Sequence, residues 1–212
     1  MSAQSDEPFA TGARMTGQLV APLHPLSISE YLAIGEVEPG YTELVEGSIV
    51  MSPSPVPRHN RAQKRLLRQL DDQIPAGLEA IPELDVDLAL SGPDGPGWSR
   101  RPDIVVAHRS AYDRVDRDGG VLAAAEVVLA VEILSPGSRR TDHVTKRGEY
   151  ADAGIGHYWV VDLGDRAAQR EPVSLLACHL AGEFGYADGG VVTGRFVATE
   201  PFAVELDLDA LG

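Results

Sequence analysis

Two uninterrupted apolar stretches dominate the pattern of this chain, and both predict buried β-strands. Residues 103–107 read DIVVA, so that Asp103 opens the first stretch, and residues 127–134 read VVLAVEIL around Glu132. Runs of about four to eight positions rich in Val and Ile are typical of strands that are covered on both faces. A carboxylate in such a strand is costly unless a proton, a cation or a metal ion neutralises it. Both acids are therefore candidates for a functional site.

Shorter patterns predict the elements that precede these strands. Ser27 and Glu30 have the spacing of a capping box, which predicts a short helix within SISEYLAI. The segment YTELVEGSIVMS predicts two short strands that meet at Glu46-Gly47. From residue 58 to residue 74, apolar positions recur at helical spacing opposite a basic face, which predicts an amphipathic helix. Its apolar positions are Ala62, Leu66, Leu67, Leu70 and Ile74.

The remaining pattern predicts two more strands and a helix. Residues 83–90, ELDVDLAL, alternate between polar and apolar and predict a half-buried strand. Residues 141–154 predict a helix with a glycine near its end, and HYWVVDL, residues 157–163, predicts a further strand. The polar face of the alternating strand would carry Glu83, Asp85 and Asp87.

These elements predict the fold class and the domain organisation. Residues 1–22 show no periodicity and are expected to form a disordered tail. Residues 23–212 are expected to form one domain of the α/β (α+β) class, with a central mixed sheet flanked by helices and a β-rich C-terminal part.

Composition excludes several classes of function. The single cysteine, Cys178, allows no intramolecular disulfide and no cysteine-based metal cluster, and its apolar neighbours predict burial. The chain has no apolar stretch long enough to span a membrane and no signal-peptide pattern, so we expect a soluble, cytoplasmic protein without a membrane partner. The six histidines lack the spacing of a zinc site, and no phosphate-binding glycine loop or serine nucleophile motif is present.

The charge distribution qualifies an acidic total. The net charge of −14 argues against binding of nucleic acid. However, residues 58–68, 100–101 and 139–147 hold eleven of the eighteen Lys and Arg residues and only one acid, Asp142. This segregation fits a basic rim around a phosphate site on an acidic body, although basic solvent-facing helix surfaces would give the same pattern.

The acids and one lysine together suggest phosphodiester chemistry. Two carboxylates on neighbouring strands suit Mg²⁺, which polarises phosphoryl oxygens and acidifies bound water. Lys146 would share a helix face with Asp142 and Tyr150, where it could support such a site or form an ordinary ion pair with Asp142. Taken singly, each acid could equally be a strand end that meets solvent. Glu43, in the first hairpin, is a candidate third carboxylate if it faces inward.

The motifs strongly resemble one family. The segments YTELVEGSIVMSPSP, RPDIVVA and VEILSPGSRRTDHVTKRGEYADAGIGHYWVVDL, with a histidine-bearing helix after the first, resemble the Uma-type restriction endonucleases over about residues 26–165. That family belongs to the PD-(D/E)XK nuclease superfamily. The resemblance implies a restriction-endonuclease-like core and a Mg²⁺-dependent DNA endonuclease, with Mn²⁺ as an alternative ion.

The resemblance also implies roles for individual residues. Asp103 and Glu132 match the metal-binding acids, Glu43 matches an early glutamate, and Lys146 matches a helix lysine with Asp142 and Tyr150 beside it. His59 is expected close to these groups. The superfamily motif places its lysine two positions after the second acid, where this chain has Leu134. The expected contacts to DNA phosphates come from Arg58, Arg61, Arg65, Arg139 and Arg140.

Two other functions stay open at this point. The acidic total and Leu134 also fit a catalytically weak binding or structural module that keeps the nuclease fold. A metal-dependent hydrolase acting on another phosphoester is the third candidate. Relatives of this fold are often dimers, so a homodimer is a further expectation, with the C-terminal region as its candidate interface.

Overall fold

The structure is a computed structural model that describes residues 24–35, 40–52, 54–92, 95–134, 141–164 and 171–212. The predicted tail, residues 1–22, lies outside the described residues, as do Arg139 and Arg140. The α-helices are α1 (Ile28–Ile34), α2 (Pro57–Asp71), α3 (Arg109–Asp118) and α4 (Arg147–Asp152), and a π-helical segment, Thr141–Lys146, runs directly into α4. No helix in these ranges is long and apolar enough to cross a membrane.

The strands of the described ranges fall into two large sheets and a C-terminal hairpin. They are β1 (Tyr41–Val45), β2 (Ser48–Ser52), β3 (Leu78–Pro82), β4 (Val86–Asp87), β5 (Ser99–Arg100), β6 (Ile104–His108), β7 (Leu122–Ala123), β8 (Val127–Leu134), β9 (His157–Asp162), β10 (Ser174–Leu180), β11 (Tyr186–Thr193), β12 (Arg195–Ala198) and β13 (Val204–Asp207).

The main sheet has six strands in the order β11-β10-β9-β8-β6-β3. Strands β8 and β9 are parallel, and the other neighbours are antiparallel. The parallel pair is joined by a crossover that contains α4, as parallel strands require. The mixed sheet flanked by helices that the sequence predicts is therefore confirmed.

The second sheet has five short strands in the order β2-β1-β5-β4-β7. The first hairpin, β1 and β2, turns at Glu46 and Gly47, whose φ angles of 51° and 72° give the left-handed backbone of a tight hairpin turn. The predicted hairpin is confirmed at the predicted turn. This sheet contains β1, which carries Glu43, and β5, which carries Arg100.

Each face of the main sheet packs against its own set of helices. One face carries Ile104, Val131 and Trp159, and it is covered by α2 and the C-terminal hairpin. The other face carries Val105, Ala130 and Tyr158, and it is covered by α3 and α4. Alternation along central strands explains why both β6 and β8 read as continuously apolar, because each strand is buried on both sides.

Local signals explain where α1 and α2 lie. In α1, the Ser27 side chain accepts a hydrogen bond from the Glu30 backbone, and the Glu30 side chain accepts one from the Ser27 backbone, so the predicted capping box is present. Helix α2 begins at Pro57, which suits a first helical turn, and its buried positions include Ala62, Leu66 and Leu70, as predicted. Cys178 is 2% exposed, and burial raises the pKa of its thiol to about 12.

The alternating segment ELDVDLAL was wrongly predicted as one long strand. Only Val86–Asp87 pairs in a sheet, because Glu83 and Ala89 have φ angles of 53° and 49°, which extended strands do not adopt. Its acids serve other contacts, since Asp85 binds Arg101. Strand β3 and helix α3 were not predicted from the sequence.

Candidate active site

The register of the main sheet places Asp103 next to Glu132. Ile104 on β6 pairs with Val131 on β8, and one further step of this antiparallel register brings Asp103 opposite Glu132. Residues directly opposite each other point to the same face of a sheet. Asp103 lies just before β6. Glu132 is the third residue from the end of β8, and it is 3% exposed.

Glu132 is held by two side chains from the π-helical segment and α4. Lys146 Nζ lies 2.9 Å from Glu132 Oε1, and the Tyr150 hydroxyl donates to the same oxygen at 2.8 Å. Lys146 is 8% exposed and Tyr150 is fully buried. Burial, reinforced by the charge of Glu132, holds the pKa of Tyr150 well above its usual range, so the hydroxyl stays a donor. The two residues share the helix face that their spacing predicts.

Glu43 faces inward from β1 and approaches the same lysine. Its Oε1 lies 3.1 Å from Lys146 Nζ and accepts from the Arg101 backbone at 3.1 Å, and its Oε2 accepts from Arg100 at 2.9 Å. Burial opposes the ionised form, but the charges of Lys146 and Arg100 outweigh it and lower the pKa of Glu43. Glu43 is therefore a buried carboxylate whose two oxygens are both occupied.

Asp103 is held by the backbone of β8 and by α2. Its Oδ2 accepts from the Ile133 backbone N–H at 2.6 Å and lies 3.1 Å from His59 Nε2. Burial alone would lower the pKa of His59, but the hydrogen bond and charge of Asp103 raise it. Gln63, one turn further along α2, donates to the Asp103 carbonyl at 2.8 Å. The first two turns of α2 thus fix the Asp103 side chain and its backbone.

The donor set fits one hard divalent cation. Within the described residues, no three His, Cys, Asp or Glu side chains converge as metal ligands, but Mg²⁺ needs only one or two protein carboxylates. Asp103 Oδ1 accepts no hydrogen bond from the described chain, and the Asp103 side chain is 17% exposed. Asp103 and Glu132 are the residues that could hold the ion, whereas Glu43 has its oxygens occupied.

Two residues of the site were missed by the sequence reasoning. Arg100 was assigned to a basic rim, but it is 3% exposed and joins Glu43 to Glu149. Glu149, on α4, receives a bidentate contact from Arg100 at 2.6 and 2.7 Å. The neighbouring Arg101, also assigned to the basic rim, instead donates two hydrogen bonds to the Asp85 carboxylate. These partners lie 16 to 57 residues apart in the chain, so no local pattern marks them.

The arginines predicted to contact DNA lie in different environments in the structure. The Arg58 guanidinium donates to the carbonyls of Leu163 and Gly164 after β9, so it serves an internal contact. Arg61 and Arg65 lie on the outer face of α2, where they line a groove together with Lys64 and Arg68. Of the predicted neighbours of Lys146, the Asp142 side chain falls outside what the structure describes, as do Arg139 and Arg140 entirely.

Comparison with solved structures supports the fold described above, a mixed α+β protein. The fold is similar to the crystal structure of a protein described as a "putative nuclease belonging to DUF820" from Anabaena variabilis, with a TM-score of 0.63 and 22% sequence identity. The match covers 88% of this chain and 97% of that chain. At this identity the likeness shows the fold.

The chain belongs to the Uma2 family. The sequence model of this family, described as "Putative restriction endonuclease", matches residues 28–176, which is more than half of the chain. No curated protein matches the chain. The family match supports a nuclease-like function, and it contains all the residues of the Asp103, Glu132, Lys146 and Glu43 cluster.

Proposed function

We propose that this protein is a Mg²⁺-dependent endonuclease that hydrolyses DNA phosphodiester bonds. The observation that carries the proposal is the position of Lys146, whose ammonium group lies 3.1 Å from Glu43 and 2.9 Å from Glu132, the residue opposite Asp103 in the sheet register. The motif lysine missing at position 134 is thereby replaced in space by a lysine from the following helix. A carboxylate pair can hold a metal ion, and a lysine beside it can stabilise the charge that develops on phosphoryl oxygens during hydrolysis.

Asp103 and Glu132 are the proposed ligands of the ion. When bound there, Mg²⁺ or Mn²⁺ would polarise a phosphoryl oxygen and lower the pKa of a bound water. Around this position the described residues place four carboxylates, from Asp103, Glu132, Glu43 and Glu149, and three basic groups, Lys146, Arg100 and His59, whose pKa Asp103 raises. A divalent cation bound by Asp103 and Glu132 would add positive charge in a buried environment, where isolated negative charge is costly.

The other side chains position these groups. His59 holds Asp103 by one oxygen, and Tyr150 donates to Glu132, so both carboxylates keep a fixed orientation. Glu43, on β1, holds the Lys146 ammonium through a contact of 3.1 Å. A positive charge fixed beside Glu132 can stabilise the negative charge that develops on the phosphoryl oxygens during hydrolysis.

The groove on α2 is the proposed contact for the DNA backbone. This groove has a volume of about 280 Å³ and lies on the exposed face of α2, the helix whose buried face carries His59. It is lined by Arg61, Lys64, Arg65 and Arg68. Arg65 donates to the carbonyl of Gly212, and Arg61, Lys64 and Arg68 make no ion pair within the described chain. Four neighbouring cations repel one another, so an anionic partner such as a phosphate chain would stabilise them.

One observation favours a second function, a DNA-binding module with little catalytic activity. Lys146, Arg100 and Tyr150 contact the Glu43 and Glu132 carboxylates directly, so these side chains also form a buried network of paired groups. Such networks can serve structure alone.

Plasmid cleavage with Mg²⁺, Mn²⁺ or a chelator distinguishes the two functions. We expect metal-dependent nicking by the wild type, and a loss of at least about a hundredfold in Asp103→Asn, the scale seen when one electrostatic group is removed from a site. The matched control is Asp85→Asn, because the side chains of Asp85 and Asp103 are both 17% exposed. Cleavage that persists in Asp103→Asn would refute the assignment of the site, and DNA retention without cleavage would favour the binding module.

A further inference from the structure

Lys146 is one of four charged residues that form a ring of contacts. Lys146 contacts Glu43, Glu43 accepts from Arg100, and Arg100 binds Glu149 through two parallel contacts. Glu149 lies three residues after Lys146 on the same helical segment, so the backbone completes the ring. Each of these four residues is at most 8% exposed.

The ring joins three separate parts of the fold. Glu43 comes from β1, Arg100 from β5, and Lys146 and Glu149 from the segment that ends in α4. Arg100 lies in a two-residue strand whose neighbours are β1 and β4, so its backbone is fixed by the second sheet. Its planar guanidinium donates to both carboxylates at once, which a lysine at this position could not do with the same geometry.

We propose that Arg100 and Glu149 are positioning residues that aim the Lys146 ammonium at Glu132 and keep Glu43 from acting as a ligand of the metal. This inference rests on the proposed function as far as cleavage is concerned. Arg100 takes Glu43 Oε2 at 2.9 Å, which leaves Oε1 to Lys146 and to the Arg101 backbone. Glu149 holds Arg100 in that orientation, since two contacts at 2.6 and 2.7 Å fix the plane of the guanidinium.

Conservative variants separate positioning from mere structural support. Glu149→Gln keeps the size of the side chain but removes the charge that orients Arg100. We expect kcat for DNA cleavage to fall about tenfold to a hundredfold with little change in KM, as when a reacting group is displaced slightly. The matched control is Asp85→Asn, which removes the carboxylate partner of the next arginine, Arg101, and should leave kcat unchanged.

A second variant addresses the case in which Glu149→Gln unfolds. In Arg100→Met with Glu149→Leu both charges are replaced together, a change that buried ion pairs often tolerate without loss of stability. If the pair only supports the fold, this double variant should cleave DNA like the wild type. We expect it to fold and to show the same loss of kcat as Glu149→Gln.

A spectroscopic readout tests the ring independently of cleavage. The chain has only two lysines, Lys64 and Lys146, so NMR of carbon- and nitrogen-labelled lysine, read through the non-exchanging Cε protons, gives two Nζ signals, with the exposed Lys64 as the internal reference. We expect the Lys146 signal to shift in Glu149→Gln and to be unchanged in Asp85→Asn. An unaltered Lys146 signal in folded Glu149→Gln would overturn the inference. If the wild type does not cleave DNA, the proposed function fails, and this signal alone decides the role of the ring.

Discussion

The lysine of this site comes from a position that the superfamily motif does not use. Position 134 holds a leucine that is 4% exposed and packs in the core on the α4 side of the sheet. Ala130, Glu132 and Leu134 alternate onto that same face of β8, so Leu134 supports the helix from which Lys146 reaches Glu132. Lys146 thus places a positive charge beside Glu132, while Leu134 adds apolar packing on the same face of the strand.

Glu43 gives a prediction about stability and pH. Because its pKa is lowered in the folded protein, the ionised carboxylate contributes stability above the ordinary value of 4.5, and this contribution is lost as the pH falls through the lower, folded value. We expect Glu43→Gln to lower the free energy of unfolding by about 3 kcal/mol at neutral pH, the scale for breaking a buried ion pair.

Urea unfolding of both proteins at a series of pH values measures this difference. The gap in free energy of unfolding between wild type and Glu43→Gln should narrow as the pH falls below 4.5, because Glu43 then binds a proton in the unfolded state before it does so in the folded state. A gap that stays constant across this range would mean that folding does not lower the pKa of Glu43.

Among the elements, the first hairpin turns at a glycine where both the backbone angle and the close surroundings disfavour a side chain. Gly47 has a φ of 72°, and a Cβ at this position would lie 2.5 Å from the Pro25 Cβ and 2.8 Å from the Leu26 nitrogen. Its carbonyl accepts from Leu26, and its N–H donates to Gly97. The turn therefore ties the chain before α1 and the chain before β5 to the strand that carries Glu43.

Substitution of this glycine tests the contribution of the turn. Gly47→Ala should be destabilised well beyond Gly119→Ala, because Gly119 has a similar φ of 77° but open space around its Cβ position. We expect about 1–3 kcal/mol for Gly119→Ala from backbone strain alone, because its φ of 77° and ψ of −172° lie in a region nearly restricted to glycine, and more for Gly47→Ala. Thermal or chemical unfolding measures both, and equal losses would show that the close contacts at Gly47 relax at little cost.

The elements also show how far the sequence predicts this structure. The capping box of α1, the Glu46-Gly47 turn, the amphipathic face of α2 and the apolar runs of β6 and β8 are local patterns, and each was predicted where it lies. The prediction of one long strand in ELDVDLAL was wrong because Glu83 and Ala89 have left-handed backbone angles, which interrupt an extended strand. Arg100 and Glu149 could not be predicted, because their contact depends on the packing of β5 against α4.

For the whole molecule, charge is distributed so that an acidic protein can present a local basic surface. The net charge of −14 would repel DNA at long range, whereas the groove of Arg61, Lys64, Arg65 and Arg68 would attract its backbone at short range. Arg100, Arg101 and Arg58 are occupied by internal contacts, which concentrates the proposed DNA surface on α2.

The salt dependence of DNA binding tests this surface. The slope of log K against log salt concentration should decrease by about 0.9 for each phosphate contact that is removed. We expect the triple variant Arg61→Gln, Lys64→Gln and Arg68→Gln to reduce this slope by about two to three. The control triple variant, with the same change in net charge, replaces the exposed residues Arg109, Arg117 and Arg195 by glutamine. Equal slopes for the two triple variants would show that only the overall charge matters.

The most direct measurement of the central claim is single-turnover cleavage of plasmid DNA by Lys146→Met at saturating Mg²⁺, with Arg117→Met as the control for loss of one positive charge at an exposed position. The account predicts that Lys146→Met folds and binds DNA but cleaves at least about a hundredfold more slowly than the wild type, while Arg117→Met cleaves normally. Cleavage at the wild-type rate by folded Lys146→Met would contradict the claim that this lysine replaces the one absent at position 134.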